Sequence, residues 1–250
     1  MTQNLNHALI AVSKDAAKLV QQYLAAEEVS PEGKACVRQS LDVIREALDR
    51  FRFEELALSF NGGKDCLVLL ILLLAGLAEK TITDPEYTAA TAALSCVYVK
   101  CPNAFPEVDE FVESCNRAYA LRTTTIELGM KEGLAEYLRE NPRVRAIFVG
   151  IRRTDPYGSK LQFFQETDHG WPEFMRIHPV INWGLKQIWE FIRYTKIDYC
   201  PLYDLGYTSL GGTDNTIPNP GLQVVGSKGA ISYLPAYMLD DDLQERLGRG

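Results

Sequence analysis

The residues with the most chemistry per position run from Ser59 to Cys66, "SFNGGKDC". Gly62 and Gly63 let backbone N–H groups come close to an anion. Lys64 adds a full positive charge. The apolar run that follows predicts a helix, whose N-terminus adds a partial one. Together they suit a pyrophosphate or triphosphate. Asp65 beside phosphates makes sense as a ligand of Mg²⁺, or as a helix cap through its side-chain oxygen. The same letters also describe a plain turn, because Asn-Gly-Gly is a good turn sequence. The spacing is neither GxxxxGK(S/T) nor GxGxxG, so the usual P-loop and dinucleotide readings do not apply.

Further candidates follow along the chain. "GIRRTDP" offers Arg152 and Arg153, of which at least one is expected to be an ordinary surface arginine, and Asp155 before Pro156. "TDHGWPEF" offers Asp168 and Trp171, the latter a flat apolar face or simply a core residue. "RIHPV" places Arg176 and His178 two positions apart, on one face of a strand, with the histidine read as structural. Arg246 and Arg249 lie in a charged tail that is normally solvated. With only three histidines and no nucleophile constellation, the sequence fits a reaction whose nucleophile needs no strong base.

The elements that must position these residues alternate. "VRQSLDVIREALDRF" has helical spacing of apolar residues. "ELALSF" reads as a strand, and "DCLVLLILLLAGLA" as a helix apolar all round, hence buried. "LSCVYVK", "LRTTTIEL" and "VRAIFVG" read as strands. "FPEVDEFVESCNRAYA", with Pro106 in its first turn, and "KEGLAEYLREN" read as the helices between them. This alternation predicts an α/β fold: a mostly parallel twisted sheet with helices on both faces, plus a loop-rich C-terminal extension. Residues 151–174 have no clear period, "MRIHPVINW" looks like another strand, and "LKQIWEFIRYTK" like a helix.

The 250 residues carry a net charge of −7, a poor match for a nucleic-acid backbone. Six cysteines without a CxxC pair or zinc spacing read as free thiols in a reducing compartment. The first twenty residues lack the pattern of a secretory signal, although Lys14 and Lys18 with few acids leave an organellar address open. The apolar run from Cys66 to Ala78 is short for a bilayer. A cytoplasmic monomer acting on small molecules, with no nucleic-acid or membrane partner, is expected.

"SFNGGKD" resembles the pyrophosphate-binding PP-loop usually written SGGxDS, with Asn61 at the first serine and Cys66 at the last. Those departures, with "GIRRTDP", "WPEFMRIHPVINW", "YTSLGG…NT" and "ERLGR", resemble the eukaryotic FAD synthetases, the FMN adenylyltransferases, over residues 55 to 250. The resemblance implies an adenine nucleotide alpha hydrolase-like (Rossmann-like) fold. It implies one catalytic domain over 1–250: N-terminal helices in 1–52, a nucleotide-binding α/β core in 53–150, and a flavin-side and C-terminal segment in 151–250. It implies the reaction FMN + ATP → FAD + pyrophosphate, with Mg²⁺. Ser59, Asn61, Gly62, Gly63, Lys64 and Asp65 then hold ATP phosphates, and Asn61 donates to the α-phosphate. Asp65 and Asp155 are the metal candidates. Arg152 and Arg176 face phosphates, Asp168 and Trp171 the flavin. Arg246 and Arg249 close over the triphosphate on a mobile tail. A PAPS reductase on the same fold is the rival, but it needs a redox cysteine, and Cys200 has no partner nearby. A nucleotide-binding module without catalysis, or a tRNA-modifying thiolase, are further alternatives.

Overall fold

A computed structural model describes residues 2–87, 93–226 and 229–250. Two helices lead, α1 (Thr2–Ala25) and α2 (Pro31–Arg50). Ser30 caps α2 by accepting from Gly33 N at 2.9 Å, and Pro31 occupies the first turn, where its missing N–H costs nothing. The core then alternates: β1 (Leu56–Ser59), α3 (Lys64–Thr83), β2 (Leu94–Val99), α4 (Pro106–Ala118), β3 (Leu121–Ile126), α5 (Met130–Glu140) and β4 (Ala146–Val149). Next come β5 (Phe164–Glu166), β6 (Met175–Ile177) and α6 (Leu185–Thr195). The rest is loops and short 3₁₀ turns, with one hairpin of β7 (Gln223–Val225) and β8 (Ile231–Tyr233).

The main sheet has the order β3-β2-β1-β4-β6-β5. Every pair is parallel except β5 with β6. From β1 the chain winds outward to β3, then returns to place β4 on the other side of β1. The carboxyl ends of β1 and β4 therefore flank a topological switch point, where open α/β sheets bind ligands. The period of two sorts the strands. Leu56, Leu58, Cys96, Tyr98, Ala146 and Phe148 pack into the large core with α3 and the other helices. Ala57, Val97 and Ile147 face the opposite side, against Leu134 and Tyr137 of α5 and Phe174. Helices thus cover both faces, but the second carries α5 alone, which packs on β2 and β3. In front of β1 and β4 that face is left to a cavity.

Helix α3 is long and apolar enough by composition to cross a membrane, yet most of it is buried inside the fold. Residues from Cys66 to Ala78 are all buried. "MRIHPVINW" is only three residues of strand. After Ile177, His178 N donates to Phe163 O at 2.9 Å and the chain turns, with Ile181 N donating to His178 O at 3.3 Å. The aperiodic stretch before it hides β5, an antiparallel edge strand too short to leave a pattern.

Candidate active site

The loop after β1 is built by Asn61. Its Oδ1 accepts from Gly63 N at 3.0 Å, and the Cys66 thiol lies 3.0 Å from the same oxygen. This turn needs Gly62 at φ +74°, a left-handed conformation that glycine adopts freely. Burial pushes the Cys66 thiol up to about 12, so it remains a donor. With Oδ1 committed to the loop, the Asn61 amide nitrogen is the end left for a ligand. Lys64 N, one of the unpaired donors at the start of α3, is taken by Tyr203 Oη at 2.9 Å. Gly150, at the end of β4, abuts the first turn of α3: a Cβ there would lie 2.8 Å from Cys66 N and Cα.

The charged residues do not stand as expected. Lys64 is 2% exposed and its ammonium does not face the loop mouth. It pairs with Asp65 Oδ2 at 3.0 Å and with Glu245, and donates to Thr208 O at 3.3 Å. Arg152 is fully buried rather than turned to a phosphate. Its Nη1 is 2.9 Å from Asp242 Oδ1, its Nη2 pairs with Glu245, and its Nε makes a charge contact with Asp65 Oδ1 at 2.8 Å, without hydrogen-bond alignment. The reason is electrostatic: three carboxylates converge on this arginine from distant parts of the chain. Burial opposes the charge on Lys64 and Arg152, but their carboxylate neighbours outweigh it and hold both pKa values up. Arg153 is the surface arginine, held by Asn182 and two backbone carbonyls.

Asp65 is an organiser. Both its oxygens face cations, and it is not the helix cap, a position filled by Gly63. Asp155 accepts from Arg152 N at 2.8 Å. Burial and the nearby Asp65 charge raise its pKa above the usual range, overcoming Arg152 and Lys64. A divalent cation would relieve that strain. Among the described residues no group of three or more His, Cys, Asp or Glu side chains is arranged to hold a metal. A Mg²⁺ would thus lean on substrate phosphates, as it commonly does. Asp155 fits such a role, and Asp65, with both oxygens engaged, does not fit as a direct ligand.

A cavity of about 910 Å³ joins the loop to the second motif. Ser59, Asn61 and Gly150 line one end; Asp168, Trp171 and Arg176 line the other, over an apolar floor that includes Ile147 and Phe174. Its size lies within the range of small-molecule sites. Trp171 is 39% exposed, so it is not a core residue. Arg176 donates to Glu166 O at 2.9 Å and stands 3.4 Å from Asp168, and its Nε is buried with no partner among the described residues. His178 is structural: its Nδ1 is 2.7 Å from Gln162 O, and burial lowers its pKa.

The tail is docked, not mobile. Thr216 and Arg249 form a β-bridge, Ile217 N donates to Gly248 O at 2.9 Å, and Gly250 N to Asn215 O at 3.0 Å. Arg249 Nη1 donates to Leu210 O at 2.7 Å. Burial, then the like charge of Arg246, lower its pKa. Among the described residues neither arginine makes an ion pair, so two like charges stand near each other at the end of the chain.

The fold is shared with the phosphoadenosine phosphosulfate reductase domain, whose family model matches residues 55–137 and 129–218. A probable FAD synthase of Schizosaccharomyces pombe is 44% identical over 210 residues, 84% of this chain and 77% of that one. The chain belongs to the FAD synthase family. A probable FAD synthase of Caenorhabditis elegans is 36% identical over 85% of the chain, which spans only 40% of that longer relative. The crystal structure of Candida glabrata FMN adenylyltransferase with FAD and inorganic pyrophosphate superposes with a TM-score of 0.90, at 26% identity, covering 96% of this chain and 99% of that one. Cys200, the last cysteine in the chain, is poorly placed for the thiol chemistry of a reductase. Cys200 is buried and its pKa is pushed up to about 11 by burial, and all six cysteines are free.

Glu245, Asp242 and Tyr203 were missed by sequence reasoning. Glu245 sits inside "ERLGR", a charged stretch in which its burial has no local signal. Its partner lies 181 positions away, so no local pattern marks it. Tyr203 gives no signal beyond an aromatic among turn formers.

Proposed function

We propose that the protein is an FMN adenylyltransferase, making FAD and pyrophosphate from FMN and ATP. The observation that carries this is the single cavity running from the Asn61 loop to Asp168, Trp171 and Arg176. It seats a nucleotide phosphate and a flat, hydrogen-bonding ring system in one space. An FMN phosphate is mostly dianionic at neutral pH, its second pKa being about 6, so it attacks without a base. An FMN phosphate oxygen forms a bond to the ATP α-phosphorus. The bond from that phosphorus to the bridging oxygen breaks, and pyrophosphate leaves with the electron pair.

Positioning and charge neutralisation then carry the rate. The Gly62–Gly63 turn and the positive end of α3 face the leaving diphosphate, and the Asn61 amide nitrogen donates to the α-phosphate. Arg246 and Arg249 take up its charge. Trp171 stacks on the isoalloxazine and Asp168 accepts from its N–H or from the ribityl hydroxyls. Arg176, with its buried unpartnered Nε beside Asp168, holds the FMN at that same end. Mg²⁺, when bound, neutralises phosphate charge, with Asp155 the residue to hold it. The chain acts as one catalytic domain over 1–250, as a cytoplasmic monomer on small molecules, without nucleic acid or membrane. Its −7 charge and free thiols support that setting.

Incubation with ATP, Mg²⁺ and FMN tests the proposal. FAD formation, read by fluorescence quenching and chromatography with stoichiometric pyrophosphate, is expected. Pyrophosphate release without FAD would point to a different acceptor.

A further inference from the structure

The buried charge cluster draws on distant parts of the chain. Two cations, Lys64 and Arg152, are met by Asp65 at the start of α3 and by Asp242 and Glu245 from the C-terminal segment. The Asp242 side chain is 30% exposed, whereas Glu245 is 4% exposed. Glu245 is thus the buried carboxylate that the C-terminal segment supplies, and a charge so buried is held there only by its partners.

Glu245 ties the tail to Lys64 at the start of α3, whereas Asp242 ties it to Arg152 and, by accepting from Leu185 N at 2.8 Å, to the start of α6. The Glu245 side chain grips the first turn of α3, and its own carbonyl accepts from Thr208 Oγ1 at 2.6 Å. Asn219 tightens the same knot, donating to Gln244 O at 2.8 Å and to Thr208 Oγ1 at 2.8 Å. Arg246 is the next residue and Arg249 follows within one turn.

We propose that Glu245 is a positioning residue for adenylyl transfer: through Lys64 and Arg152, its carboxylate sets where the Arg246–Arg249 tail stands relative to the phosphate loop. It touches no substrate. The inference rests on the function proposed above and adds that Lys64 works through Glu245, not through phosphate.

Glu245→Gln keeps the shape and removes the charge; Lys64 and Arg152 still share Asp65 and Arg152 keeps Asp242, so the variant is expected to fold with lowered stability. Turnover to FAD should fall roughly tenfold or more while KM for ATP and for FMN stays within about threefold. In a double-mutant cycle, Glu245→Gln should add less than about threefold to the loss caused by Arg249→Ala, because both act on one tail. Glu245→Asp should recover part of the turnover. Tryptic cleavage after Arg246, followed by intact mass, should be faster in Glu245→Gln than in the unmodified protein. Unchanged turnover, or two losses that simply multiply, would overturn the proposal. If the glutamine variant does not fold, the aspartate variant decides: unmodified turnover and tail cleavage there refute it. A chain that makes no FAD at all refutes the function instead, and the cleavage comparison still judges the tie.

Discussion

The contact between Gly150 and the start of α3 sets the geometry of the whole site, and Gly150→Ala measures it. The added Cβ would stand 2.8 Å from Cys66 N and Cα, against the 3.4 Å at which ordinary contact begins. Both neighbours are backbone, so no side chain can swing aside. Strand β4 and helix α3 must separate by roughly half an ångström, an overpacking cost of about 1–3 kcal/mol. For a chain of this length that lowers the melting temperature by roughly 2–12 °C. The effect on chemistry is expected to be larger. The displaced turn carries the phosphate loop on one side and the cavity wall on the other, and misplacement of about 1 Å can cost on the order of 100-fold in rate. Steady-state FAD formation and thermal melting on the same preparation give both numbers. A Gly150→Ala protein with unmodified kcat and melting temperature would refute the reasoning, because the close approach would then carry no constraint.

Trp171→Ala should raise KM for FMN about tenfold or more with little change in KM for ATP or in melting temperature, since the side chain is half in solvent; fluorescence titration of FMN checks it. Asp155 has a raised pKa in the folded state, so its charge costs stability at neutral pH, and that cost disappears as pH falls through the folded value. Asp155→Asn is therefore expected to melt higher than the unmodified protein at pH 7, with the gap closing toward acid, while FAD formation drops at least roughly tenfold. Lys64→Met strands Glu245 among fewer cations and should cost about 3–5 kcal/mol in denaturant unfolding; a near-neutral value would mean the buried cluster is not a structural unit.

The central strands and helices were legible because each carries its own pattern. The all-round apolar α3 reads as a buried helix, and Pro106 opens α4 as its fixed φ favours. Strand order was not legible, since β1, β2 and β4 are all short apolar runs and nothing local says which lies beside which. β5 and β6 have three residues each, too few for a period. In the site, Asn61, Gly62 and Gly63 were read from chemistry that is local to the loop. Lys64 was misread because adjacency to glycines says nothing about what waits below. Its acceptors are Asp65 next door and Glu245 from the far end of the chain. Arg152 failed for the same reason, and the tail was called mobile because its docking to Asn215 and Ile217 leaves no trace in composition.

Because α3 starts at the phosphate loop and then runs through the densest part of the interior, the two halves of the site differ in how they can yield. Amide protons at 67–74 should exchange with solvent only when the entire chain melts, whereas those around 168–171, on an exposed surface loop, should exchange through small local openings. The phosphate end of the proposed site is therefore anchored on a part that cannot soften without global collapse. Tolerance for altered ring systems, whether inherited or engineered, is expected to accumulate at the opposite, yielding end.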